Sequence, residues 1–169
     1  MTVPQQADFL YRSIERVSDW IKYQDSKAGA VLVILAIGAA DLIAQADRLV
    51  DAHETSKLGV AASTMFWVAV TAAVVTVAFV ALTLFPRVEP KSGPSLFYFG
   101  SVAGYRTAED FHKEVQEMSD DSLARHLATQ AWELARLAAA KVAFVRIATG
   151  AALCFLGAWA TARFLLAVA

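Results

Sequence analysis

The chain has 169 residues, 57% of them hydrophobic and 18% charged, with a mean hydropathy of +0.48. A water-soluble domain averages about 45–50% apolar and about 25% charged residues, so this composition argues for a membrane protein with a polar portion. A net charge of −1 gives no field to attract nucleic acid. The single cysteine, Cys154, excludes an intramolecular disulfide and a cysteine-only metal site.

In chain order, residues 5–27 read as an amphipathic helix. Leu10, Ile14, Val17 and Ile21 form one stripe at helical spacing, and Pro4 suits the first turn. The segment has no basic start running straight into an apolar stretch, so it does not read as a signal peptide, and the first apolar block is expected to stay as an anchor. That block, residues 28–44, is uncharged until Asp41 and is the first expected span. A polar loop, 45–58, leads to the clearest span, 59–85, which has 27 uncharged residues and stops at Pro86.

Residues 86–94, PRVEPKSGP, form a breaker-rich linker, and the aromatic segment SLFYFG follows at 95–100. A short helix is expected over 107–118, opened by Thr107 with Glu109 and Asp110 in its first turn. A second opens at Ser119 and carries Leu123, Leu127, Leu134 and Leu137 on one face, with no stop signal. It is expected to continue as one helix from about 120 to 167, ending in the third span, residues 147–169. The fold class is therefore an all-α membrane protein with three transmembrane helices and a polar helical region, 86–146.

Lys and Arg set the expected orientation. The N-terminal segment and residues 86–146 carry twelve of them, against three (Arg48, Lys57 and Arg163) on the other side. By the positive-inside rule both basic segments are cytoplasmic and the C-terminus is outside.

No catalytic or metal-binding pattern appears. There is no G-x-S-x-G, P-loop or G-x-G-x-x-G, and His53, His112 and His126 have no ligand spacing. The sequence offers no catalytic residue, metal site or cofactor motif, and an enzyme is not expected. Asp41 is the one acid inside an expected span. It lies near the outer interface, where it is expected to reach water or Arg48, with Arg163 at a similar depth as an alternative partner. Small residues (Gly29, Gly38, Ala39 and Ala40 in the first span; Gly150, Ala151, Gly157 and Thr161 in the third) permit close helix packing within or between subunits.

The informative residues cluster at the inner membrane edge. WIKYQDSKAG, 20–29, places Trp20, Tyr23, Asp25, Ser26 and Lys27 within about two turns. Arg136, Lys141 and Arg146 stand at comparable depth on the last long helix, with Gln130 and Trp132 nearby. Aromatic faces, basic groups and polar donors suit a nucleotide, by stacking on the base and pairing with phosphate. A packed aromatic plug with an interfacial belt is the competing reading.

Three stretches in this order, WIKYQDSKAGAVL, SLFYFG and LATQAWELARLAAAKVAFVRIA, resemble the Pycsar transmembrane effectors of bacterial antiphage defence. The resemblance spans roughly residues 10–150 and rests on Trp20, Asp25, Lys27, Ala28 and Gly29, on Phe97, Tyr98, Phe99 and Gly100, and on Lys141 and Arg146. Gln24 departs from it, standing where a small residue is expected, as does Val142 in place of an aromatic. The resemblance implies an effector that binds cyclic UMP or cyclic CMP made by a partner nucleotide cyclase. Such an effector impairs the inner membrane and contacts lipid; a homo-oligomer is expected because three spans enclose little interior of their own, and no nucleic acid is expected from the net charge. The resemblance further implies that Tyr98 or Phe97 stacks on the base, that Arg136, Lys141 or Lys27 meets the phosphate, and that Asp25 accepts from the base, the sugar or a lysine. Two alternatives remain: a membrane scaffold whose 86–146 arm binds a protein, or a constitutive channel subunit that uses Asp41 or Arg163.

Overall fold

The computed structural model describes residues 3–85 and 99–168. These residues are almost wholly helical, with no strand among them. The six helices are α1 (Val3–Ala44), α2 (Ala46–Thr55), α3 (Lys57–Leu84), α4 (Phe99–Val102), α5 (Ala108–Gln116) and α6 (Asp120–Val168). Three of them, α1, α3 and α6, contain a stretch long and apolar enough to cross a membrane. The last of these, α6, runs unbroken for 49 residues.

Local sequence explains the boundaries. Ser56 caps α3 in an extended conformation, its hydroxyl accepting from the Gly59 N–H. Thr107 does the same for α5 by accepting from Asp110, whose carboxylate, with that of Glu109, also suits the positive end of the helix. Ser119 accepts from Ser122 at the start of α6. The polar 45–58 segment is not an open loop: α2 occupies Ala46–Thr55, and Ser63 of α3 donates to the Leu49 carbonyl.

The chain divides into two compact units, Met1–Tyr23 with Arg87–Ala140, and Gln24–Pro86 with Lys141–Ala169. In the first, α1 turns Leu10, Ile14, Val17 and Ile21 to its half-buried face, while Leu127 of α6 is buried. Tyr105 donates to the Glu114 carboxylate at 2.7 Å and meets Phe111 edge-on, tying the turn before α5 to that helix.

The second unit is a bundle built on a seven-residue repeat. On α1, Gln24, Ala28, Val31, Leu35, Gly38 and Leu42 recur at alternating steps of four and three, the same steps continue through Gln45 at the turn and Leu49 of α2, and all are buried or half-buried. On α3 the same steps select Gly59, Ala62, Phe66, Ala69, Ala73, Thr76, Val80 and Thr83. On α6 they select Lys141, Val145, Ala148, Ala152, Phe155, Trp159 and Ala162. A strict heptad keeps one face toward its partners only if the helices wrap in a left-handed sense. Ala28 clusters with Val80, Val145 and Ala148, and Leu35 and Leu42 with Ala69 and Phe155. So α1 and α6 run parallel and α3 runs against both.

The outward faces are apolar too: Val33, Ile37, Ile43, Trp67, Val74, Leu153 and Phe164 are all exposed. A surface of this kind belongs in lipid. Buried Thr76 and Thr83 satisfy their hydroxyls on the Ala72 and Phe79 carbonyls one turn back, so neither leaves a polar group orphaned in the seam.

Candidate functional site

Asp25 and Lys141 meet inside the second unit. The Lys141 ammonium donates to Asp25 Oδ1 at 2.6 Å, with 5% of the lysine side chain and 37% of the aspartate's exposed. Both stand at the head of this unit, one on α1 and one on α6. Gln24, beside Asp25, is buried in the seam. A long side chain can therefore occupy position 24, where the resemblance leads one to expect a small one, because it points inward between helices.

The same unit carries Lys27 and Arg146, both exposed. Lys141 alone among these cations is withdrawn from solvent. Any anion reaching it must compete with Asp25.

In the first unit, Trp20 and Tyr23 stand edge to face at 6.0 Å, and both are more than half exposed. Phe9, Arg12, Arg16, Trp20 and Tyr23 share one exposed face of α1, a stripe of mixed aromatic and basic character beside the half-buried Leu10–Ile21 face. Arg136 lies over the exposed Trp132 ring at 4.8 Å, a cation–π contact along one turn of α6. A cavity of about 350 Å³ in this unit is lined by Gln6, Phe9 and Leu10 of α1 and by Asp121, Ala124, Arg125 and Ala128 of α6. None of the expected site residues among the described ones lines it. Phe97 and Tyr98 lie outside the described residues, and Phe99 and Gly100 begin α4.

The hydroxyl of Tyr105 is pushed above the usual phenol range, chiefly by its hydrogen bond to Glu114, with burial and the carboxylate's charge adding to it. Among the described residues no cluster of His, Cys, Asp and Glu is placed to hold a metal ion.

Asp41 is only partly exposed, and it meets more partners than expected. Its carboxylate takes the indole N–H of Trp159 at 2.8 Å and the Gln45 side-chain amide at 2.9 Å on Oδ2. Arg163 Nη1 lies 3.5 Å from Oδ1. Of these three partners, depth in the membrane points only to Arg163; Gln45 and Trp159 emerge from the structure. The signal is nevertheless present in the spacing, since Gln45 lies one turn from Asp41, and Trp159 and Arg163 lie one turn apart on α6.

Nothing among the curated proteins or the solved structures matches this chain. The family model PycTM, described as the Pycsar effector protein domain, matches residues 9–169. With all but its first eight residues inside that match, and three helices fit to cross a bilayer, the chain belongs to the Pycsar effector family of antiphage membrane effectors.

Proposed function

We propose that this protein senses a cyclic pyrimidine mononucleotide, cyclic UMP or cyclic CMP, and answers by impairing the bacterial inner membrane. The nucleotide comes from a partner cyclase, and the N-terminus and residues 86–146 face the cytoplasm. The observation that carries this reading is the continuity of α1 and α6. Each runs without a break from a polar half bearing exposed aromatic and basic side chains into an apolar half. A ligand held by the polar halves acts on rigid elements that extend into lipid.

In this reading Tyr98 or Phe97 stacks on the base, while Trp20 and the Trp132–Arg136 pair supply further aromatic and cationic surface. Arg136, Arg146 and Lys27 attract the cyclic phosphate. Asp25–Lys141 is the contact that the ligand rearranges, by taking the ammonium onto a phosphate oxygen or by donating to the freed carboxylate. A single mononucleotide that moves a population from 1:99 to 99:1 must prefer the active state by about 10⁴-fold. Coupled sites in a homo-oligomer share that demand, so ligand is expected to promote assembly.

The test is calorimetric titration of detergent-purified protein with cyclic UMP, cyclic CMP, cyclic AMP and cyclic GMP, with particle mass followed by light scattering. Selective pyrimidine binding, weakened tenfold or more in Arg136→Ala and Tyr98→Ala and accompanied by a rise in mass, is expected. Heat from none of the four overturns the sensor reading and favours a scaffold whose polar arm binds protein.

A further inference from the structure

Asp41 is the only acid in the apolar part of α1, and the second unit is arranged around it. Two of its three hydrogen-bonding and charge partners, Trp159 and Arg163, belong to α6, and the third, Gln45, lies one turn on, in the turn between α1 and α2. A carboxylate at this depth is costly unless it is paired, and Asp41 keeps its Trp159 and Arg163 partners only while α6 holds its present register beside α1.

One turn back along the same seam, Gly38 faces the ring of Phe155. A Cβ at position 38 would sit 2.5 Å from Phe155 Cε1 and 2.8 Å from Cζ. Phe155 is fully buried in the cluster with Leu35, Leu42 and Ala69, so its ring moves only by displacing them. The two features are neighbours on the same pair of helices: Gly38 lies three residues before Asp41 on α1, and Phe155 four before Trp159 on α6. The cluster also keeps contact with its surroundings: the side chains of Asp41 and Arg163 are 34% and 48% exposed. A pair that is not sealed among helices can be parted without unpacking the core, which suits a contact meant to open.

We infer that the Asp41–Trp159–Arg163 cluster, set by the Gly38–Phe155 contact, is a clasp that holds the resting bundle shut, and that membrane damage requires its release. This rests on the reading of the protein as a membrane-impairing effector. The clasp and the nucleotide response are nevertheless separable by experiment.

Full-length protein is reconstituted into lipid vesicles loaded with a self-quenched dye, and leakage is followed with no nucleotide present. Wild type is expected to stay tight. Asp41→Asn, Trp159→Phe and Gly38→Ala are expected to leak at least tenfold faster. Trp159→Phe keeps most of the ring volume while removing the N–H, so it carries the test if Asp41→Asn fails to fold. In the Gly38→Ala background, Phe155→Leu removes the ring atoms that the new methyl meets, and leakage should fall back toward wild type.

If correctly folded Trp159→Phe and Gly38→Ala are as tight as wild type, the clasp is overturned. The same wild-type vesicles are then challenged with cyclic UMP and cyclic CMP. Silence there removes the nucleotide reading, whereas the clasp stands or falls on the nucleotide-free leakage alone.

Discussion

Lys141 is buried in the bundle with the Asp25 carboxylate 2.6 Å from its side-chain nitrogen, and the cost of separating them shows what the pair does. Removing one partner of a buried pair costs about 3–5 kcal/mol, whereas replacing both with apolar residues of similar volume is often neutral. Asp25 retains solvent on one side, which places Lys141→Ala near the low end of that range, about 3 kcal/mol. Asp25→Leu with Lys141→Met should recover most of the loss in a denaturant titration of the detergent-solubilised protein. Nucleotide response should be lost in both, which separates the pair's contribution to stability from its part in sensing. Asp25 and Lys141 stand out in the sequence as polar groups at a membrane edge, but their pairing does not, since 116 positions separate them. Asp41 is legible as an anomaly. Its main donor is not, because an indole in an apolar run reads as an interfacial ring until its N–H has an acceptor.

At the scale of single elements, the three long helices are legible in length and order from their apolar blocks, their caps and the absence of any stop in α6. The heptad that joins α1, α3 and α6 is hidden. In water a seam is written in hydrophobicity, but here the lipid-facing residues are as apolar as those of the seam, so the pattern is written in size. Ala28, Gly38, Ala62, Ala69, Ala148 and Ala162 mark the contacts, while Val33, Ile37, Trp67 and Val74 face outward. Ala69 of α3 has no exposed surface and packs in the cluster with Leu35 and Phe155. Ala69→Leu forces extra carbons into a filled layer and should destabilise the bundle by about 1–3 kcal/mol. Val74→Leu, on the outer face of the same helix, should stay within about 0.5 kcal/mol of wild type. Thermal unfolding in detergent, followed by helical circular dichroism, distinguishes the two.

For the molecule as a whole, the polar contacts fall at two levels along the spans. Asp25–Lys141 lies toward one end of the second unit and Asp41–Trp159 toward the other, and the α1 partners are sixteen residues apart. At 1.5 Å per residue that is about 24 Å of helix, close to the thickness of a bilayer's hydrocarbon layer. One inserted residue turns everything beyond it by about 100°, so both acids can no longer face α6 at once. A single alanine added between Ile34 and Leu35 should therefore leave one carboxylate toward lipid, at a cost of about 2.5–3.5 kcal/mol. A lower yield of membrane-inserted protein and a reduced unfolding temperature are the expected readouts. Val33→Leu, at an exposed site in the same tract, should leave both unchanged.

The stretch between Asp25 and Asp41 is thus a ruler. Drift in its outward-facing letters costs little, but a change in their number strands a charge. Across descendants of this chain, spelling should vary here while length stays fixed.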